Sequence, residues 1–221
     1  MKIGPYSIKP IALYLSDEER WVKQYEAARC YFAQSGVEDI HWLNGCHAVK
    51  WGIKGTKPFL LDGRPEENFY IGDGNVGNFI SQYIAYCVMQ AMDHSHFMYL
   101  EGDCEFHPGW REKLAVALED IPSDFDVLYV GSCCCDGKRP TLVNARSNLY
   151  KFDGKGGRYH NYPLCTHCYI IAKKAVPVMI ETQRDASNPT DISIAHFALP
   201  RLQVYAILPR LASQFNTVIP P

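Results

Sequence analysis

The feature that most constrains this chain is an apolar run cut short by two acids. Phe97, Met98, Tyr99 and Leu100 read as a short buried strand, and Glu101-Gly102-Asp103 follows at once. Open α/β sheets bind ligands in the crevice outside the carboxyl ends of their strands. Two carboxylates leaving the core at such an edge are costly unless something positive neutralises them. A divalent cation carrying phosphate oxygens would do so. Mg²⁺ and Mn²⁺ prefer oxygen ligands, and Mg²⁺ takes one or two carboxylates plus substrate phosphates. Gly102 lets the backbone bend and leaves room for a bulky ligand. The plainer alternative is an acidic turn after a strand, so the surrounding pattern has to decide.

That pattern alternates strands and helices. Residues 8–15 predict a first strand, and Ser16 with Glu19 predicts a capping box. Trp21, Tyr25, Ala28 and Phe32 then recur at helical spacing, and Gly36 closes the helix. Residues 39–43 predict a second strand, so the chain opens β-α-β, the start of a nucleotide-binding α/β sheet. Residues 44–73 are rich in Gly, Lys and Pro and carry Trp51, Phe59 and Tyr70. This stretch exceeds an ordinary loop and predicts a functional or flexible segment. Asn75 predicts the cap of a helix over 76–92. Val76, Phe79, Ile80, Tyr83, Ile84, Cys87, Val88 and Ala91 would line its core face. Asn75, Asn78 and Gln82 fall near its start, where a sugar or phosphate could meet donors. Beyond the acids, His107 opens a helix to residue 120, and 126–130 predict another buried strand. Residues 136–163 predict a loop or hairpin over the site, with Lys138, Arg139, Arg146, Lys151, Lys155 and Arg158 as acceptor or diphosphate contacts or as solvated surface. Residues 165–175 read as a strand running into a helix, and Pro189-Thr190-Asp191 opens another.

The 221 residues predict one compact α/β domain over 1–221. Hydrophobic residues make up 47% and charged residues 21%, and the net charge of −2 argues against nucleic acid or an anionic membrane as partner. No apolar run approaches the roughly 20 residues that span a bilayer. Met1 to Pro10 lacks a signal-peptide pattern, so cytoplasmic location is the default expectation. Nine cysteines include Cys133-Cys134-Cys135 and the pair Cys165 and Cys168. Their odd count argues against a disulfide scaffold, and reduced, mostly buried thiols are expected. A structural zinc site built from these cysteines and His167 is an alternative.

Taken in order, the segments resemble glycosyltransferase family 25 and its relatives, the lipooligosaccharide and collagen glucosyl- and galactosyltransferases, viral members included. Those proteins carry a Gly-containing helix start, an amphipathic helix, and a strand ending in an acidic metal motif, usually Glu-Asp-Asp. Here Gly74-Asn75-Val76-Gly77 opens the helix and Gly102 stands at the middle of the motif, so one family carboxylate is absent. The family's Ser-His pair is matched by Ser81-Gln82. Cys165-Thr166-His167-Cys168-Tyr169 looks like its Thr-x-Ala-Tyr segment, Pro189-Thr190-Asp191 like its Pro-x-Asp, and Pro209 to Gln214 like its closing Pro-x-Leu-x-x-Gln.

The resemblance implies a GT-A-type single domain with a Rossmann-like mixed central sheet flanked by helices. It implies an inverting, metal-dependent hexosyltransferase that uses a nucleoside diphosphate sugar, UDP-linked for preference, and a glycan or protein-linked acceptor. Mn²⁺ or Mg²⁺ would sit on Glu101 and Asp103, with His196 or His167 as third ligand. Leu13, Tyr14, Leu15 and Ser16 would face base and ribose. Arg20 would lie near the phosphates or in solvent, and Asn75, Asn78, Gln82 and Gly102 would border the donor. Asp191 would be the general base, or a plain first-turn aspartate favoured by the helix dipole. A domain that binds nucleotide sugar or glycan without turnover, and a zinc-stabilised interaction module, are the competing readings.

Overall fold

The computed structural model describes residues 1–54, 58–61, 64–70, 72–132, 140–154, 162–183 and 189–214, with backbone alone over 58–61 and 64–70. β1 (Lys2–Ile3) folds back antiparallel on β2 (Tyr6–Tyr14). α1 (Glu19–Gln34) leads to β3 (His41–Asn44), which lies parallel to β2. Among the described residues, β4 (Pro58–Leu61) and β5 (Arg64–Tyr70) pair with each other in a separate two-stranded sheet. After α2 (Asp73–Ala91), β6 (His96–Leu100) joins the other side of β2 in parallel. β7 (Cys104–Phe106), α3 (Trp110–Asp120) and β8 (Val127–Gly131) follow, then the hairpin of β9 (Thr141–Asn144) and β10 (Leu149–Phe152). β11 (Cys168–Ala172) leads into α4 (Val176–Thr182) and the short α5 (Thr190–Ser193). β12 (Val204–Ile207) and β13 (Ala212–Gln214) close the described chain.

The main sheet runs β1-β2-β6-β11-β8-β12-β10-β9, with β3 on β2 and β13 bridging β8 and β7. It is mixed because β11 enters antiparallel between β6 and β8, with Cys168 opposite both Leu100 and Gly131. Side chains alternate across a strand. Met98 and Leu100 therefore join a core with Phe32, Leu114 and Phe125 on one face, while Phe97 and Tyr99 join Tyr86, Tyr169 and Met179 on the other. Helices cover both faces, the arrangement a sheet buried on both sides requires. This is the expected GT-A-type mixed α/β architecture. Among the described residues no helix is long and apolar enough to cross a membrane.

Several local expectations are corrected. The first helix begins at Glu19 with Glu18 at its cap, so Ser16 caps nothing. The Glu18 carboxylate pairs instead with Arg20 and His47, at 2.9 and 3.2 Å. The second begins at Asp73, with Gly72 at the cap, and places Asn75 inside its first turn. Its buried line is Gly77, Phe79, Ser81, Gln82, Ala85, Tyr86 and Met89, whereas Ile84 and Cys87 are exposed. Apolar periodicity points to the wrong stripe there, because the buried face must also meet a backbone turn and a carboxylate. Part of the stretch read as a long loop forms the β4–β5 hairpin. The apolar stripe of α1 is divided: Trp21, Tyr25 and Ala28 border a cavity, and Phe32 is fully in the core.

Candidate active site

β2 and β6 run parallel and end side by side, with Ala12 opposite Leu100. Just beyond their carboxyl ends lies a cavity of about 460 Å³. Leu13, Tyr14 and Leu15 line it from the end of β2, and Glu101, Gly102 and Asp103 from the end of β6. Tyr14 stacks on Tyr25 of α1 with ring centroids 4.2 Å apart, which fixes an aromatic wall. Arg20 reaches the cavity from α1, its guanidinium 4.6 Å from the Trp21 ring centre and paired with Glu18. Asn78 reaches it from α2. Ser16 and Asn75 are not among the lining residues, and neither is Gln82, which lies behind the acids.

The turn at Gly45 and Cys46 forms another wall and packs tightly on α2. The Cys46 N–H donates to Ser81 Oγ at 2.8 Å, and that hydroxyl donates to the Gly77 carbonyl at 2.7 Å. A Cβ at Gly77 would lie 2.7 Å from the Cys46 carbonyl, so the close approach needs glycine there. At Gly102 a Cβ would press on the Leu13 carbonyl at 3.3 Å. The middle position of the acidic motif thus faces backbone closely, and a side chain there needs the Leu13 carbonyl to give by a few tenths of an ångström.

The Glu101 carboxylate is held from three directions. Thr166 Oγ donates to Oε1 at 2.6 Å, and Gln82 Nε2 approaches the same oxygen at 3.4 Å while donating to Thr166 Oγ at 2.8 Å. Gln214 Nε2 donates to Oε2 at 3.2 Å and to Asp103 Oδ2 at 3.4 Å. Behind Gln82, the hydroxyls of Tyr86 and Tyr169 meet at 2.5 Å in the core. Burial pushes the Glu101 pKa up from 4.5 to about 7; the Thr166 hydrogen bond opposes the rise, and the charges of Asp103 and Asp191 reinforce it. Burial raises Asp103 as well. Asp103 Oδ1 is buried with no hydrogen-bond partner.

These observations bear on whether a cation fits. Two carboxylates share a half-buried edge, one of their oxygens is orphaned, and among the described residues no lysine or arginine forms an ion pair with either. The donors are hard oxygens, the set that suits Mg²⁺ or Mn²⁺. The residues therefore fit a divalent cation. Among the described residues, however, no third His, Cys, Asp or Glu joins the pair as a ready ligand group. His196 sits in the π-helical turn Ile194–Ala198, edge-on to Phe197. His167 is buried, its Nε2 directed at the Ala212 carbonyl 3.4 Å away. Asp191 stands at the start of α5, where its carboxylate accepts from the Cys165 and Ile192 N–H groups at 3.2 and 2.9 Å.

Cys165 is disulfide-bonded, which corrects the expectation of reduced thiols at that position and removes it as a zinc ligand. Cys30, Cys46, Cys87, Cys104 and Cys168 are free. Cys133, Cys134, Cys135, Lys138, Arg139, Lys155 and Arg158 lie outside the described residues. Of the remaining basic candidates, Arg146 pairs with Glu119 and Lys151 lies over the Tyr205 ring, so neither is committed to the cavity. Thr166 and Gln214 are the site residues that local patterns do not single out. Thr166 was visible as the interior of a Cys-x-x-Cys and as the threonine of the Thr-x-Ala-Tyr likeness, and Gln214 as the end of a degenerate closing motif, none of which gives either a role at the acids.

No known protein family's pattern matches the chain, and no curated protein matches it in sequence. In structure, the chain is similar to a glycosyltransferase involved in the glycosylation of the major capsid of PBCV-1, with a TM-score of 0.52, 11% identity, and 95% of this chain and 92% of that chain covered. Weaker likenesses are to A197 from STIV (TM-score 0.45, 12% identity, 95% and 87% covered) and to mannose-1-phosphate geranyltransferase from Thermus thermophilus (0.42, 12%, 93% and 75%). The first of these likenesses establishes the GT-A-type fold.

Proposed function

We propose that this chain is a cation-dependent glycosyltransferase that moves a hexose from a nucleoside diphosphate sugar, UDP-linked for preference, to a hydroxyl of a glycan or protein-linked acceptor, with inversion. The observation that carries this reading is the half-buried pair Glu101 and Asp103, with which no described lysine or arginine forms an ion pair, at the edge of a cavity with aromatic and apolar walls. The sequence resemblance to glycosyltransferase family 25 and the shared fold support it. Asp103 and Glu101 would hold Mn²⁺ or Mg²⁺, which supplies Lewis-acid neutralisation of the leaving diphosphate. Leu13, Tyr14 and Leu15 border the base and ribose, and Arg20 and Asn78 meet polar parts of the donor. Thr166 and Gln82 hold the Glu101 carboxylate in one orientation, and the packed core behind them keeps it there. Asp191 takes the acceptor proton: its two backbone hydrogen bonds fix the carboxylate and leave lone pairs free.

The test is calorimetry of UDP with and without Mn²⁺. Asp103→Asn should abolish the Mn²⁺-dependent part of UDP binding and Glu101→Gln should weaken it. Unchanged affinity in the Asp103 variant would remove the central claim.

A further inference from the structure

The third place in the cation site is open on the histidine reading, since His167 faces a backbone carbonyl and His196 is not gathered with the acids. Yet one side chain already touches both. The Gln214 amide end lies 3.2 Å from Glu101 Oε2 and 3.4 Å from Asp103 Oδ2. From these geometries we infer that Gln214 is the third protein ligand of the cation, through its amide oxygen. The inference rests on the proposed cation-dependent reading.

The argument is geometric and chemical. The carboxylates divide their oxygens: Glu101 Oε1 is taken by Thr166 and Gln82, while Oε2 turns toward Gln214. Without a cation, the amide NH₂ donates to both acids. Amide carbonyls are ordinary ligands for hard cations, and the two ends of a glutamine amide have nearly the same shape. A half-turn about the last side-chain torsion places Oε1 where Nε2 now lies, without moving the backbone. Octahedral coordination at about 2.0–2.1 Å sets neighbouring oxygens about 3 Å apart. The amide end already stands close to that spacing from one oxygen of each acid. The backbone is pinned as well: β13 pairs Gln214 with Cys104, the residue after Asp103. The resulting ligand set, two carboxylates and a neutral oxygen, would leave about three positions for diphosphate oxygens and water.

The opposing possibility is that Gln214 is only a donor that neutralises the acids and must be displaced. The two predict opposite signs. Protein stripped with a chelator is titrated with Mn²⁺ alone, and free Mn²⁺ is read by electron paramagnetic resonance, with no nucleotide and no turnover. Gln214→Leu should weaken Mn²⁺ binding about tenfold or more, the scale of losses from single changes around metal sites. Gln214→Glu, which supplies oxygen and no donor, should bind Mn²⁺ at least as tightly as wild type. It should also lose thermal stability above neutral pH without the cation and regain it with Mn²⁺. Equal or tighter binding by Gln214→Leu, or weaker binding by Gln214→Glu, overturns the inference. If Asp103→Asn loses Mn²⁺ while Gln214→Leu keeps it, the cation site stands and only the Gln214 assignment falls. Absence of Mn²⁺ binding by wild type would overturn both.

Discussion

Replacing Glu101 with glutamine should make the cation-free protein more stable at high pH and change it little at low pH. The carboxyl group is titrated near 4.5 in an unfolded chain and near about 7 in the folded one, where burial penalises its charge. Below the lower value it is protonated in both states and contributes nothing. Between the two, the unfolded chain releases a proton that the folded chain retains, so stability falls as pH rises. The penalty is complete above the upper value. The difference, about 7 minus 4.5, at about 1.4 kcal/mol per unit, amounts to about 3 kcal/mol. Glutamine removes the titration and keeps the shape: its oxygen still accepts from Thr166, and the Gln214 amide turns its own oxygen toward the new NH₂. Urea denaturation in chelator at pH 5 and pH 8 measures the effect. The variant should gain about 3 kcal/mol at pH 8 and under about 1 kcal/mol at pH 5. In a chain of this size that gain corresponds to a Tm rise of about 6–12 °C. An equal change at both pH values, or a loss at pH 8, would refute the reasoning that burial governs this carboxylate.

Two further outcomes follow from the site. Asp191→Asn should lower turnover by about 10²–10⁴-fold while donor binding stays nearly intact; steady-state kinetics beside donor calorimetry checks this, and turnover above about half of wild type would move the base elsewhere. Two glycines of α2 should respond in opposite directions. Gly74→Ala adds a Cβ with nothing within 4 Å and should stabilise by up to about 1 kcal/mol, whereas Gly77→Ala meets the Cys46 carbonyl at 2.7 Å and should cost about 1–3 kcal/mol in chemical denaturation.

Much of the architecture was legible because it is local. The run 97–100 and its acidic stop, the stripe through Trp21, Tyr25, Ala28 and Phe32, and the helix start at Thr190 each carry their own periodicity or punctuation. The β1–β2 hairpin and the β4–β5 hairpin were missed, the second because its Gly- and Pro-rich text imitates a loop. The buried face of α2 was misread for a physical reason: Ser81 and Gln82 are inside because their partners, the Cys46 N–H and Glu101, are polar. The partners of Glu101 were illegible because pairing register carries them. Thr166 stands beside Glu101 only because β11 runs antiparallel to β6, and Gln214 only because β13 runs antiparallel to β7. No window of neighbouring residues encodes either contact.

The reach of those contacts has a consequence for synthesis. Thr166 is 65 residues from Glu101 and Gln214 is 113. Contacts so distant form late, since long loops must close first. A growing chain on the ribosome thus passes through a long interval in which the acid pair exists without its hydroxyl and amide partners. The set is complete only after β13 has emerged and docked, so a nascent or truncated chain presents the two carboxylates without the Gln214 amide. On the proposed cation-dependent reading, tighter Mn²⁺ retention would mark molecules in which β13 has docked, separating finished chains from stalled ones in a translation mixture.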